Sequence, residues 1–481
     1  MTLNFTLDPA ATEPLFLQIA ARVRSAIVLG HVAAGDRLPS ARALAAQLAV
    51  ARGTVDAAYA LLAGEGAVVT RGAAGTVVSG APGAPIGAPE HTPFMFAPEA
   101  EPSAFAPLPF GMGLPALDAF PRKLWSNLTV QAARSVQPTN LAAADPAGLP
   151  ELRQAVASYL GVARGIRCSA AQVLITAGYQ GALALVRHVL LRPGEPVWME
   201  DPGYLMTRLG LEAAGARVMP IRVDEDGLRV ASGISTAPRA KLAVVTPTHQ
   251  CPLGMALSLP RRRELLAWAE DAGSWILEDD YDSEFRYVGR PLPSLKSLDR
   301  GQRVLYAGTF SKVLFPGLRL GYLVVPPELV AAFIRACRLM TSGQPALEQS
   351  VVATFMQKGH FARHIRRMRI LYGQRRASLA AALQAAFGDS ITLQLQAGGM
   401  HLLARFPGGV DDTELTRRAT AAGLAPSALS SLTMAHSHGQ GLLLSFTNIP
   451  TEAAPAFVGR LRTALGAPHR AHCNPNGRQW A

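Results

Sequence analysis

Residues 308–322 read GTFSKVLFPGLRLGY. Thr309, Ser311, Lys312 and Arg319 place two hydroxyls, an amine and a guanidinium in one short run. Hydroxyl and guanidinium donors suit a phosphate, and arginine can grip one with two parallel hydrogen bonds. A lysine amine that is unprotonated and well placed can form a Schiff base with an aldehyde. Lysine occurs only at positions 123, 241, 296, 312 and 358. A lysine among phosphate donors therefore stands apart from an ordinary solvated surface group.

The run follows an apolar segment, RVLYAG (303–308), one of five candidate strands. The others are VLIT (173–176), VWME (197–200), LAVVT (242–246) and WILE (275–278). From about 108 to 468 such strands alternate with helical patterns, the signature of a mostly parallel α/β sheet. Each strand leads into a polar or glycine-containing loop: AGYQ, DPGY, PTHQCPLG, DDYD and TFSK. In open α/β sheets the ligand sits at the carboxyl ends of the strands. Gly178, Tyr179 and Gln180 open an apolar helix, and a helix N-terminus of this kind can cradle a phosphate. Asp279 beside a pyridine nitrogen would keep that nitrogen protonated, so that the ring draws electrons. Tyr281 can hydrogen-bond a phenolic oxygen, and Tyr204 can stack on an aromatic ring or simply pack. The acidic loop EDDYD could instead bind a metal, but no second acidic cluster or histidine pair supports that, so no metal site is expected. Aldehyde, pyridine nitrogen, phenolic oxygen and phosphate together describe pyridoxal 5′-phosphate. No G-x-G-x-x-G follows a strand, which argues against a dinucleotide.

The first 80 residues follow a different pattern. PLFLQIAARVRSAIVLG (14–30) carries apolar residues at 15, 19, 23 and 27, one helical stripe. Ser40 is placed to cap the short helix ARALAAQL. A tight turn then precedes the helix RGTVDAAYALLAGEG, with Val55, Tyr59 and Leu62 on one face. AVVTRGAAGTVVS reads as a hairpin around Gly72–Gly75. This order predicts a winged helix-turn-helix over 12–80. Residues 81–107 are rich in Pro, Ala and Gly and read as a flexible linker. Such a linker spans roughly 30 Å as a coil and about 80 Å fully extended. The effector body covers 108–468, and 469–481 reads as a disordered tail.

With 481 residues, about half of them hydrophobic, the chain has length and apolar content for two or more domains. No long apolar run and no signal peptide are read, and the four cysteines lack metal-ligand spacing. A reduced, cytoplasmic protein is expected. The net charge of +12 does not come from the head, where six arginines face five acids. HIRRMRILYGQRR (364–376) holds part of the excess, either as a solvated helix face or as a surface for DNA.

The head sequence LFLQIAARVRSAIVLGHVAAGDRLPSARALAAQLAVARGTVDAAYALLAGEG resembles the GntR winged-helix pattern. TPTHQCPLG, EDDYDSEF and GTFSKVLFPGLRLGY, in that order, resemble a fold-type I aminotransferase. The combination is similar to the MocR-type, GabR-like branch of the GntR regulators, over about residues 12–465. The resemblance implies an α/β fold class: a winged helix joined to a pyridoxal-phosphate-binding body with a mostly parallel sheet and a smaller α+β subdomain. It implies Lys312 as the Schiff-base lysine, Asp279 at the pyridine nitrogen and Tyr281 at the phenolic oxygen. Thr309, Ser311 and Arg319 would hold the phosphate with Gly178, Tyr179 and Gln180, and Tyr204 would lie against the ring. In the head, Ser40, Arg42, Arg52 and Thr54 would meet DNA, with Arg71 and Gly75 in the wing. A head-to-tail homodimer, a double-stranded DNA operator and a small amine, amino acid or vitamin B6 effector are implied as partners.

Three positions depart from that family. Leu443 stands where relatives carry an arginine for a substrate carboxylate, unless Arg208 or Arg405 substitutes. Loss of a charge-assisted hydrogen bond costs about 1.5–3 kcal/mol. Ala143 stands where relatives carry a tyrosine for the partner's phosphate, and Ala51 removes a helix cap worth about 1 kcal/mol. The expected function is a regulator that senses a small molecule through its body. The alternative is a working aminotransferase with an appended head.

Overall fold

The computed structural model describes residues 5–8, 11–71, 75–79, 107–138, 145–289, 292–407 and 410–466. The chain divides into two compact units, Met1–Ser103 and Ala104–Ala481. Nearly all of the expected linker, the expected tail and Ala143 lie outside the described residues.

In the first unit, α1 (Leu15–Val28), α2 (Ala41–Leu48) and α3 (Arg52–Gly64) precede a hairpin of β1 (Val68–Thr70) and β2 (Thr76–Val78). The expected stripe supplies the core: Ile19 and Val23 pack with Leu44, Val55, Tyr59, Leu62, Val68 and Val78. The Tyr59 hydroxyl donates to the carbonyl of Pro39 at 2.8 Å, which ties α3 to the turn before α2. Ser40 caps α2 by accepting from the Ala43 amide at 3.2 Å. Ala51 begins α3 with no side-chain cap. Gly75 adopts φ +82, and a Cβ there would lie 2.8 Å from Arg37 Nε. Of the expected turn at 72–75, only Gly75 is among the described residues.

The second unit is built on an eight-stranded sheet in the order β3-β10-β9-β8-β7-β4-β5-β6. The strands are β3 (Val173–Thr176), β4 (Pro196–Asp201), β5 (Arg217–Asp224), β6 (Gly227–Leu228), β7 (Leu242–Val245), β8 (Trp275–Asp280), β9 (Val304–Thr309) and β10 (Gly321–Val324). Strands β9, β8, β7, β4 and β5 run parallel, whereas β10 is antiparallel to both neighbours. Burial on both faces explains why the parallel strands read as continuous apolar runs. Val173 and Ile175 join one core, and Leu174 joins the core on the opposite face. A smaller antiparallel sheet orders β11 (Thr392–Gln394), β12 (His401–Arg405), β14 (Leu442–Ser445) and β13 (Ser427–Ala428).

All five expected strands form, within a residue or two. β5, β6 and β10 were not among those strands, and the smaller sheet belongs to the α+β subdomain that the resemblance implied. GTFSKVLFPGLRLGY turns out to be the whole connection from β9 to β10. Its flanking glycines are sterically required. A Cβ on Gly308 would sit 2.3 Å from the Tyr322 ring, and one on Gly321 would sit 2.8 Å from the Gly308 carbonyl oxygen. The connection thus closes as a tight antiparallel pair, Gly321 facing Thr309 and Tyr322 facing Gly308.

Gly308→Ala forces the buried Tyr322 ring aside. Overpacking of this kind costs about 1–3 kcal/mol. The melting temperature of the body is expected to fall by roughly 1 °C per kcal/mol, read by calorimetry. An unchanged transition contradicts the steric account.

Candidate functional site

The loops after β3, β4, β7, β8 and β9 carry the candidate site residues. Lys312 lies one turn beyond β9, and its Nζ donates to the Gly113 carbonyl at 3.1 Å. Gly113 has φ +71, and a Cβ there would lie 2.1 Å from that nitrogen. Only glycine leaves room for the amine. Burial pushes the Lys312 amine below its usual range, opposed by Cys251, Asp279 and Asp282 and assisted by the cation of Arg319. Gly113 was missed at the sequence level, although GMG at 111–113 carries a positive-φ glycine.

Asp279 closes the far side. Its carboxyl is held well above the usual range, first by burial and then by the neighbouring charges of Asp280 and Asp282; Lys312 acts the other way. Among the described residues no hydrogen bond reaches its carboxylate. A buried carboxylate without a donor is costly and fits a cationic partner. The other acids of EDDYD have partners. Glu278 accepts the amides of Leu295 and Lys296, both at 2.8 Å. Asp280 pairs with Arg164 at 2.8 Å and accepts from the Tyr306 hydroxyl. Asp282 lies 3.1 Å from His249 Nδ1. Strand alternation separates these roles, because 278 and 280 face one side and 279 the other. None of them gathers with other groups into a metal-binding set among the described residues.

Tyr281 is buried further in than Tyr204, which is 40% exposed at the start of helix Leu205–Ala213. The Tyr204 phenol, pushed up to about 12, is raised by burial, Cys251 and Asp279 and lowered by Arg319. Tyr179 lies beside it, ring centroids 6.3 Å apart, with its hydroxyl 2.9 Å from Thr207 Oγ1. Gly178 opens helix Gly178–Leu190 at φ +69, and the amide nitrogen of the Gln180 side chain is buried without a partner. Thr309 Oγ1 accepts from the Ser311 amide at 3.1 Å, and Arg319 is exposed with φ +50.

Leu443 is fully buried in an apolar cluster with Val223, Leu253, Leu403 and Leu429. Of the two possible substitutes, Arg405 is engaged, donating to the carbonyls of His438 and Gln440, whereas Arg208 lies 3.9 Å from Glu212 with its Nε buried and without a hydrogen-bond partner among the described residues. In the head, Arg42 and Arg52 are exposed in the first turns of α2 and α3, and Thr54 is half-buried. Arg52 reaches Asp56 at 3.3 Å, a solvated pair. Arg71 is exposed and its amide donates to Gly75 at 2.9 Å. Ser40 is exposed but spends its hydroxyl on the α2 cap. In the basic run, Arg366, Arg367 and Arg369 are exposed, while Arg375 is buried against Asp118.

Two family patterns coincide with this layout. Residues 15–78 match bacterial regulatory proteins of the gntR family, and residues 118–440 match aminotransferase class I and II. The molecule is thus a transcription regulator of the class that joins a winged helix to an aminotransferase-like body. It belongs to the MocR-type branch of the GntR family. It is 35% identical over 471 residues to the probable rhizopine catabolism regulatory protein MocR of Rhizobium meliloti, covering 95% of each chain. It is 36% identical to the HTH-type transcriptional regulator TauR of Rhodobacter capsulatus, covering 96% of this chain and 99% of that one. The alpha-aminoadipate aminotransferase LysN of Thermus thermophilus, complexed with N-(5′-phosphopyridoxyl)-L-leucine, superimposes with a TM-score of 0.68. The two are 29% identical over 74% of this chain and 92% of that one.

The raised Asp279 carboxyl has a thermodynamic consequence. Its folded pKa exceeds its unfolded value, so the ionised form opposes folding above pH 3.8 and that cost grows toward the folded pKa. Asp279→Asn should therefore raise the melting temperature of cofactor-free protein at pH 7. The gain should shrink as pH falls and disappear below 3.8, where both states are protonated. A gain independent of pH would contradict the assignment.

Proposed function

We propose that this protein is a DNA-binding regulator that reads a small amine or amino acid, or the vitamin B6 cofactor itself, through pyridoxal phosphate held in its body. The observation that carries the reading is the unpaired, buried Asp279 carboxylate near the Lys312 amine, a charge arrangement suited to a pyridinium ring bearing an aldehyde. When bound, pyridoxal phosphate supplies an electrophilic carbon that captures amines and a ring that withdraws electrons. Lys312 offers the amine, made easier to deprotonate by burial. Asp279 holds the ring nitrogen's proton, and Tyr281 hydrogen-bonds the phenolic oxygen. Thr309, Ser311 and Arg319 hold the phosphate with the helix N-terminus at Gly178–Gln180. Tyr204 covers the ring. The domains run 12–80 for the head and 108–468 for the body, and the protein works in the cytoplasm as a head-to-tail homodimer.

Leu443 favours sensing over turnover. Its surroundings are apolar, so this strand offers no cation to a substrate carboxylate. An effector recognised mainly through its amine suits such a site. Ligand binding shifts regulation only by its differential affinity for two arrangements of the body. Sustained transamination, far faster than by free pyridoxal phosphate, would favour the aminotransferase alternative.

Two variants separate the activities. Lys312→Ala is expected to abolish the visible absorption of lysine-bound pyridoxal phosphate; a band that persists disproves the role of Lys312. Arg52→Ala is expected to weaken binding to DNA selected by the parent from a random library. Loss of one arginine contact worth about 1–3 kcal/mol corresponds to roughly five- to hundredfold. Its pyridoxal phosphate content should stay unchanged. Equal affinity of mutant and parent by gel shift removes Arg52 from the DNA contact.

A further inference from the structure

His249, in the loop after β7, belongs to none of the roles assigned above. It is buried, and its Nδ1 lies 3.0 Å from the Tyr281 hydroxyl and 3.1 Å from Asp282 Oδ2. Asp282 is itself 2% exposed, and that oxygen accepts no hydrogen bond among the described residues, so its approach to Nδ1 is a charge contact and the hydrogen bond of Nδ1 is the one to Tyr281. A carboxylate can only accept, so the shared ring nitrogen carries the proton. The Tyr281 hydroxyl then cannot donate to His249. Its proton is left for a group in the site.

The ring is held in this orientation sterically. Gly254 and Gly399 adopt φ +84 and φ +92, and a Cβ on either would lie 2.8 Å and 2.4 Å from His249 Nε2. That nitrogen is buried without a hydrogen-bond partner among the described residues, and His249 borders a cavity of about 210 Å³ lined also by Asp282, Arg286 and Gln396. The neighbouring His401 ring, 5.9 Å away, donates from Nε2 to the Pro252 carbonyl and is held down to about 4, first by burial. Around Tyr281, burial comes first and Asp282, Cys251, Asp279 and Glu200 add to it in keeping the phenol protonated.

We propose that His249 and Asp282 form a positioning pair for Tyr281. The carboxylate charge beside Nδ1 favours a proton there over a lone pair, that N–H donates to the Tyr281 oxygen, and the Tyr281 O–H is left as a donor aimed at the ligand. The ligand group it fits is an anionic ring oxygen, the phenolate of pyridoxal phosphate. The inference rests on the cofactor reading given under Proposed function. It implies that the pair acts only through Tyr281.

The test is a spectrophotometric pH titration of the protein loaded with pyridoxal phosphate, with cofactor affinity measured by equilibrium dialysis. A donor makes the ring oxygen less basic, so its loss lets the chromophore hold its proton to higher pH. His249→Leu is expected to raise the midpoint of the visible band and to weaken cofactor binding about tenfold. His249→Asn keeps an N–H near the Nδ1 position and should return the midpoint toward the parent. Tyr281→Phe should raise the midpoint at least as far, and adding His249→Leu to it should shift nothing more. Equal midpoints in parent and His249→Leu, or additive shifts in the double variant, overturn the inference alone. A parent that forms no visible band overturns the cofactor reading and the inference with it.

Discussion

Asp279 is buried and Lys312 half-buried, and each lowers the cost of the other's charge. The compensation is incomplete, because Asp280 and Asp282 add negative charge beside Asp279. A lone buried carboxylate without donors is among the more expensive features a fold can carry. The surrounding structure has to be rigid enough to prevent collapse or the entry of a neutralising side chain. The parallel strands β7, β8 and β9 supply that rigidity, since both their faces are packed. The glycines at 113, 308 and 321 let the lysine-bearing connection lie close against its neighbours. Stability is lower than it could be, and the pocket is left with a preference for a cation near an electrophile.

The same economy of charge is visible in the acids around it. Glu278 is spent on two helix amides and Asp280 on an arginine, a tyrosine and the hydroxyl of Ser283. Glu200 accepts from the Thr246 amide and hydroxyl, and burial first, against those hydrogen bonds, pushes it up to about 7. These acids hold loops in place. Asp279 differs from them in having no such occupation, and this difference marks it as ligand-facing more strongly than its burial does.

Much of this was legible in the chain. The parallel strands announced themselves because strands buried on two faces must be apolar throughout. The head's helices were readable from the period of Ile19, Val23, Val55, Tyr59 and Leu62, which became its core. β10 was hidden because its first residues, GY, read as the end of a phosphate loop, and only its pairing with both β3 and β9 defines it. The strands of the smaller sheet are short, and β12 meets β14 from well along the chain, so local pattern marks them weakly. Lys312 stood out by its neighbours in sequence, whereas Gly113 meets it from 199 positions away. His249 was invisible for a related reason: a histidine beside a glutamine in a loop has no spacing that foretells a carboxylate thirty-odd positions on.

Coupling between the site and the rest of the body has one evident mechanical route. Asp201, fully buried at the end of β4, accepts the amides of Met434, Ala435 and His436, each at 2.7 Å. The Gly203 amide donates to the Leu432 carbonyl at 3.1 Å. Tyr204 follows directly. Hydrogen bonds to a charged group are worth about 1.5–3 kcal/mol each, so pulling the turn away from 434–436 would cost more than most ligands can supply as differential affinity. The turn bearing Tyr204 and the segment that joins β13 to β14 therefore move together or not at all. A ligand that pushed on Tyr204 would push on the smaller sheet, which makes the candidate site and that sheet one mechanical element.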